Sequence, residues 1–107
     1  MRPATLENNP VLLIEPDALE FIMNSGAVIS IHPSMITAPV SEGKVQCRQP
    51  RDDTSYEKRL QDGVEVYLHH RFTQYRNKQY TISLNSVVIF KYLAIRETAY
   101  ELPGIRL

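Results

Sequence analysis

The sequence predicts an α+β domain that is mostly β, an antiparallel sheet with one short N-terminal helix. An Asp-Gly pair divides two runs of alternating side chains within 56–69, a pattern typical of a β-hairpin. Apolar and polar residues also alternate over 27–32 and 80–85, which indicates two half-buried strands. Over 16–25 apolar residues recur at three- and four-residue spacing, as in an amphipathic helix. We expect about six or seven short strands in all.

The hairpin can adopt two registers. A two-residue loop of Asp62 and Gly63 pairs Leu60 with Glu65, whereas a three-residue loop that includes Gln61 pairs Leu60 with Val64. A shift of one residue moves every side chain of a strand to the other face. We favour the three-residue loop because it collects the apolar side chains on one face: Tyr56, Leu60, Val64, Val66 and Leu68.

Shorter patterns place the remaining elements. The apolar run 11–14 predicts a strand, and Pro16 after it suits the first position of a helix. Residues 44–49 alternate, with Val45 and Cys47 on the apolar side. Residues 87–95 are apolar at both parities, which favours a strand covered on both faces, although a helical turn near 85–86 stays open.

The length and composition of the chain limit the classes of protein to which it can belong. A chain of 107 residues supports one core, and we expect a flexible N-terminal arm over 1–10 and a single domain over 11–107. Twelve basic residues balance twelve acidic ones, so nucleic acid and membrane surfaces are not expected partners. There is no long apolar run, no signal-like start and a single cysteine. These features predict a soluble cytoplasmic protein.

Four side chains are candidates for metal binding: His32, Cys47, His69 and His70. They lie at or near the ends of predicted strands, and a His/Cys set suits zinc or iron. No spacing typical of metal sites is present, however. We therefore favour the alternative, in which Cys47 is a small buried hydrophobic residue and the histidines lie at solvated strand ends.

Motifs of catalysis are not found in the sequence. It has no Gly-x-Ser-x-Gly and no glycine-rich phosphate loop. The acidic pair Asp52 and Asp53 follows a proline, which favours a loop cap over a general acid/base pair. We expect the protein not to be an enzyme.

Several stretches share their spacing with one known family. They are Pro16-x-Ala18-x-x-x-Ile22 followed by Gly26, the hairpin segment Asp62-Gly63-Val64-x-Val66-Tyr67, and Ile82-x-Leu84. Together they resemble HesB-like proteins, the A-type carriers of iron–sulfur cluster assembly. The likeness is nearest to a small branch whose members carry a Cys-Cys or selenocysteine-Cys pair. It extends over residues 11–95 and also includes Val45, Pro50, Tyr56 and Phe90-Lys91-x-Leu93.

The resemblance implies a HesB-like β-sandwich that often self-associates and binds iron or a cluster through cysteines. The loop 32–43, where the first ligand is expected, has no cysteine, and neither has the segment 97–107. Cys47 matches neither position. We therefore expect a HesB-like domain without its ligand cysteines.

For function, we expect a non-enzymatic interaction or accessory protein without a cofactor. Its partner is another protein or a second copy of the chain. The alternative is a protein that binds iron, zinc or an iron–sulfur cluster through the four His/Cys candidates, with ligands from two subunits.

Overall fold

A computed structural model describes residues 10–34, 42–73 and 78–98 of the chain. Within these ranges seven strands and two helices follow one another, and a 3-10 turn, Asp53–Ser55, precedes the fourth strand. The strands are β1 Val11–Ile14, β2 Val28–Pro33, β3 Glu42–Gln46, β4 Tyr56–Gln61, β5 Val64–His69, β6 Gln79–Val87 and β7 Phe90–Thr98. The helices are α1 Pro16–Asn24 and α2 His70–Thr73.

All seven strands belong to one sheet, in the order β1-β6-β7-β3-β2-β5-β4. The mostly-β class with a short N-terminal helix is confirmed. The sheet is mixed rather than antiparallel, because β1 pairs with β6 and β2 pairs with β5 in parallel. Each parallel pair is separated in sequence by other strands, and alternation within a single strand carries no information about such a pairing.

The two edge strands of the sheet lie close together. Gln61 on β4 donates a hydrogen bond to the Leu12 carbonyl of β1, with Nε2 and O 2.8 Å apart. Arg59 donates in the same way to the carbonyl of Pro10, with Nη1 and O 3.0 Å apart. Since β1 and β4 are at opposite ends of the strand order, the sheet curls until side chains link its edges.

The hairpin register that we favoured is wrong. Leu60 pairs with Glu65 and Gln61 with Val64, so Asp62 and Gly63 form a two-residue loop. Both loop residues have positive φ, 53° for Asp62 and 79° for Gly63, which is the geometry of a type I′ turn. As a result Leu60 lies on the outer face, 76% exposed, while the inward positions of β4 carry polar side chains that reach β1.

The core lies inside the curl of the sheet. It combines the inward side chains of the strands with Ala18 and Ile22 of α1 and Phe72 of α2. The rings of Phe72 and Tyr80 meet edge to face, with centroids 5.1 Å apart. Helix α1 begins at Pro16 as predicted, whereas the single turn of α2 was not predicted.

Neither helix of the described residues is long and apolar enough to cross a membrane. At the N-terminal end of those residues, Pro10 is fully buried, and residues 1–9 of the expected flexible arm lie outside the described residues.

The segment 87–95 is not one strand covered on both faces. The chain reverses at Val88 and Ile89, which form the two-residue loop between β6 and β7. The side chains from Val87 to Phe90 are exposed, and burial begins only at Leu93. The apolar residues at both parities therefore mark an exposed hairpin end, and the prediction of a covered strand was wrong.

Candidate functional site

The connection from β3 to β4 crosses the outer face of the sheet. Strands β2 and β5 lie between β3 and β4 in the strand order, so the connecting residues 47–55 have to pass over them. Residues 49–52 of this connection line a cleft together with Ser30 of β2 and Tyr56 of β4. The cleft has a volume of about 420 Å³, within the range of small-molecule sites.

The floor of the cleft is the polar face of two adjacent strands. Ser30 pairs with Gln46 and His32 with Lys44, so these four side chains share the outer face of β2 and β3. Val45, at the intervening position of β3, packs against the core as predicted. Because side chains alternate along the two strands, the polar floor of the cleft and the apolar core lie on opposite faces of the sheet.

The walls of the cleft carry two arginines and one aspartate. Asp52 accepts a hydrogen bond from the backbone N–H of Thr54 at 3.1 Å and caps the 3-10 turn, as expected for a loop cap. This hydrogen bond lowers the pKa of Asp52. Arg48 donates to the side-chain oxygen of Gln46 at 3.3 Å. Among the described residues, neither Arg48 nor Arg51 forms an ion pair with a carboxylate.

His32, which lines the cleft, has a pKa that is lowered by its surroundings. Burial lowers the pKa of this imidazole, and the positive charges of Lys44 and Arg48 lower it further. The neighbouring His69, one position beyond the Ile31–Leu68 pair, also has a lowered pKa. Burial is the largest cause there too, followed by His70, His32 and Arg71. Positive side chains therefore lie near both imidazoles, although the chain has a net charge of zero.

Of the four residues considered for metal binding, the three histidines lie near one another, whereas Cys47 faces the core. His32 and His69 are neighbours on the outer face, and the ring of His70 lies 6.5 Å from that of His69. Cys47 comes one residue after β3 and packs against the core. No group of three or more His, Cys, Asp or Glu side chains in 10–34, 42–73 and 78–98 is placed to hold a metal ion.

Cys47 is partly buried and packs against the core, as does Val45 two residues earlier. Burial raises the pKa of its thiol, and a hydrogen bond between the side chains of Cys47 and Ser25 offsets part of this shift. A raised pKa disfavours the thiolate, which is the nucleophilic and metal-binding form.

Of the residues that line the cleft, only His32 and Asp52 stood out from the sequence as candidates for chemistry, the first as a metal ligand and the second in an acidic pair read as a loop cap. Ser30, Gln46 and Arg48 were visible as the polar positions of alternating strands, which is a local signal. Their convergence requires β2 to lie beside β3, and the joining of Tyr56 to them requires the connection to cross two strands. Both are long-range features that one sequence does not show.

A second candidate surface is the arm, defined here as residues 85–92 of the β6–β7 hairpin. Toward its end the arm consists of three residue pairs: Asn85–Tyr92, Ser86–Lys91 and Val87–Phe90. Three pairs extend about 10 Å along the strands. The neighbouring strands stop earlier, since β1 pairs with β6 only as far as Ile82 and β3 pairs with β7 only as far as Ala94.

Most of the chain matches one known protein family. The family model described as the CC/Se motif containing family matches residues 11–98. The chain belongs to this family. The match covers all seven strands and both helices, and it includes the cleft and the arm. Comparison with curated proteins and with solved structures finds no match.

Membership in the CC/Se family accords with the branch that the sequence motifs resemble. The present sequence has one cysteine, Cys47, which is followed by Arg48. These 107 residues therefore contain no pair of adjacent cysteines.

Proposed function

We propose that this member of the CC/Se family is a non-enzymatic protein-interaction module, and that its arm contacts a second copy of the chain. The observation that carries this proposal is the exposed apolar end of the β6–β7 hairpin. Five of its side chains are between 47% and 89% exposed: Val87, Val88, Ile89, Phe90 and Tyr92.

The size of this surface fits an interface between proteins. Apolar patches on monomeric proteins reach roughly 300–600 Å², and five large exposed side chains in one place present on the order of 500 Å². Two arms in contact would bury about 1,000 Å² in total, the lower limit of a specific interface. A two-fold dimer uses the same patch on both copies, so one arm suffices to build it.

The backbone of the arm also favours contact with a second copy of the chain. Among the described residues, no strand pairs with β6 beyond Ile82 or with β7 between Phe90 and Leu93 on their outer edges. Exposed strand edges of this kind bind further strands. An isolated two-stranded ribbon is also only marginally stable in water, so contact with a second arm would stabilise it.

Backbone strain at the turn supports a role beyond folding. Val88 has a φ of 58°, a conformation that a β-branched residue rarely adopts. Asparagine or glycine at this position would remove the strain and the exposed apolar group together. Strained residues concentrate at functional sites, where another requirement outweighs their cost.

The proposal also includes the finer relationship to HesB-like proteins, a cytoplasmic location and the lack of a cofactor. The motif spacing described above supports the HesB-like relationship, and the core-facing position of Cys47 supports a role without metal. The lack of a cofactor is tested by measuring the metal and acid-labile sulfide content of untagged protein purified without oxygen. Stoichiometric iron or zinc that a Cys47→Ser variant loses would contradict it.

Self-association is tested by sedimentation velocity over a wide range of protein concentration. The wild-type chain should shift from monomer to dimer, and Val88→Asn should remain monomeric over the same range. Because asparagine tolerates a positive φ, the variant should unfold at the same temperature as the wild type or higher at concentrations where both are monomeric.

Leu60→Asn is the matched control, since it removes an exposed apolar side chain from β4, outside the arm. It should dimerise as the wild type does. A wild-type chain that is monomeric at every concentration, or a Val88→Asn variant that dimerises normally, would contradict the proposal.

A further inference from the structure

We propose that the cleft between the outer face of β2–β3 and the connection 49–52 binds a small organic anion. Arg48 and Arg51 would hold its carboxylate or phosphate group. Ser30, Gln46 and Tyr56 would receive the uncharged polar part of the molecule. This inference does not depend on the function proposed for the arm.

The first argument is the state of the two arginines. Both arginines line the cleft, and among the described residues neither forms an ion pair with a carboxylate. Asp52 lines the same cleft, but its carboxylate is occupied as the cap of the 3-10 turn. The planar fork of a guanidinium matches carboxylate and phosphate oxygens, and Arg is the preferred residue for such anions.

The second argument is a hydroxyl on the floor of the cleft. Ser30 lines the cleft, and its side chain makes no hydrogen bond within the described part of the chain. A serine hydroxyl can donate one hydrogen bond and accept others. This hydroxyl is therefore available to a polar ligand in the cleft.

The third argument is the charge near the cleft. Burial is the largest cause of the lowered pKa of His32, and the positive charges of Lys44 and Arg48 lower it further. The two arginines of the lining outnumber its one carboxylate, that of Asp52. An excess of positive charge in a concave site attracts anions.

The dimensions indicate a small ligand. A volume of about 420 Å³ is at the lower end of the range for small-molecule sites. The lining residues include two amides, Gln46 and Gln49, two hydroxyls, Ser30 and Tyr56, and the two arginines. This composition suits a compact hydroxylated or amide-bearing acid or phosphate better than an apolar one.

Binding is tested by two-dimensional ¹H–¹⁵N NMR on the full chain, titrated separately with inorganic phosphate and with succinate at constant ionic strength. We expect saturable shifts at Ser30, Gln46 and Arg51 with at least one of the two probes. The probe that binds more tightly identifies phosphate or carboxylate as the preferred group.

Arg51→Gln should weaken binding about tenfold, since a charge-assisted hydrogen bond contributes roughly 1.5 kcal/mol. Ser30→Ala keeps every charge and should weaken binding severalfold with an unchanged unfolding temperature. Lys91→Gln, which removes an exposed charge from the arm, is the control and should bind as the wild type does.

Shifts that do not saturate with either probe, or equal losses in Arg51→Gln and Lys91→Gln, would overturn the proposal. The Val88→Asn variant separates it from the proposal of self-association. This variant should bind the anion normally whatever its oligomeric state.

Discussion

The side-chain amide of Gln61 lies 2.8 Å from the backbone carbonyl of Leu12 and joins the first strand of the curled sheet to the last. Arg59 repeats this contact two residues earlier on the same strand. An open sheet leaves its edges exposed to other chains, and full closure by strand pairing removes them. Here side chains take the place of a backbone ladder between the two edges.

The first prediction concerns this junction. Gln61→Ala should lower the free energy of unfolding by about 1 kcal/mol, because it removes a hydrogen bond to a partly buried carbonyl. Urea unfolding followed by circular dichroism measures the change. Leu60→Ala, one residue away on the outer face, should change the stability by less than about 0.5 kcal/mol. Equal losses in the two variants would show that the junction contributes nothing specific.

The junction also explains which parts of the fold were predictable. Helix α1 and strands β1, β2 and β6 were predicted from local periodicity, and each lies where its pattern indicated. The register of the hairpin was wrong because Leu60 was assumed to face the core. Its inward neighbours, Arg59 and Gln61, are polar because they donate hydrogen bonds to carbonyls 49 residues away in the sequence. No local pattern shows these contacts.

The candidate site was predictable to a smaller extent. The polar positions of β2 and β3 were recognised one strand at a time, and Asp52 was correctly expected to be a loop cap. The cleft depends on the parallel pairing of β2 with β5. Because these two strands lie between β3 and β4, the connection between β3 and β4 has to cross the sheet. Strand order is a property of the whole chain.

The second prediction concerns Ala27, which has a φ of 61° between α1 and β2. A left-handed conformation costs a non-glycine residue about 1–2 kcal/mol, while glycine increases the entropy of the unfolded chain by about 0.4–1 kcal/mol. Ala27→Gly should therefore raise the free energy of unfolding by up to about 1.6 kcal/mol. Ala18→Gly, a buried helical position, should lower it by about 1 kcal/mol. If both variants lose stability in urea unfolding, the left-handed conformation does not limit stability.

The third prediction concerns the close approach of β3 to the core. A Cβ atom on Gly43 would lie 2.6 Å from the Phe72 ring and 2.7 Å from the His32 carbonyl oxygen. A backbone oxygen cannot move away cheaply, so Gly43→Ala should cost about 1–3 kcal/mol. Thermal unfolding measures the loss, with the exposed Lys44→Ala as its neighbour control. A Gly43→Ala variant as stable as Lys44→Ala would contradict the close packing at this position.

The last prediction is a dependence of stability on pH. Folding lowers the pKa of His32 and of His69 below the ordinary value of 6.5. Below that pH the unfolded chain binds more protons than the folded one, so stability present above about pH 6.5 is lost as the pH falls through the lowered values. Asp52 also has a lowered pKa, but its effect begins only below its ordinary value of 3.8. The two effects therefore occupy separate ranges of pH.

His69 provides the specific test, because its Nδ1 accepts a hydrogen bond from the backbone N–H of Arg71 at 3.1 Å. Protonation of Nδ1 would remove this acceptor. His69→Asn supplies an acceptor oxygen that does not titrate, so its stability should fall less than that of the wild type between about pH 7.5 and pH 5.5. Urea unfolding at both pH values measures the difference. If the variant and the wild type lose the same stability, the titration of His69 is not coupled to folding.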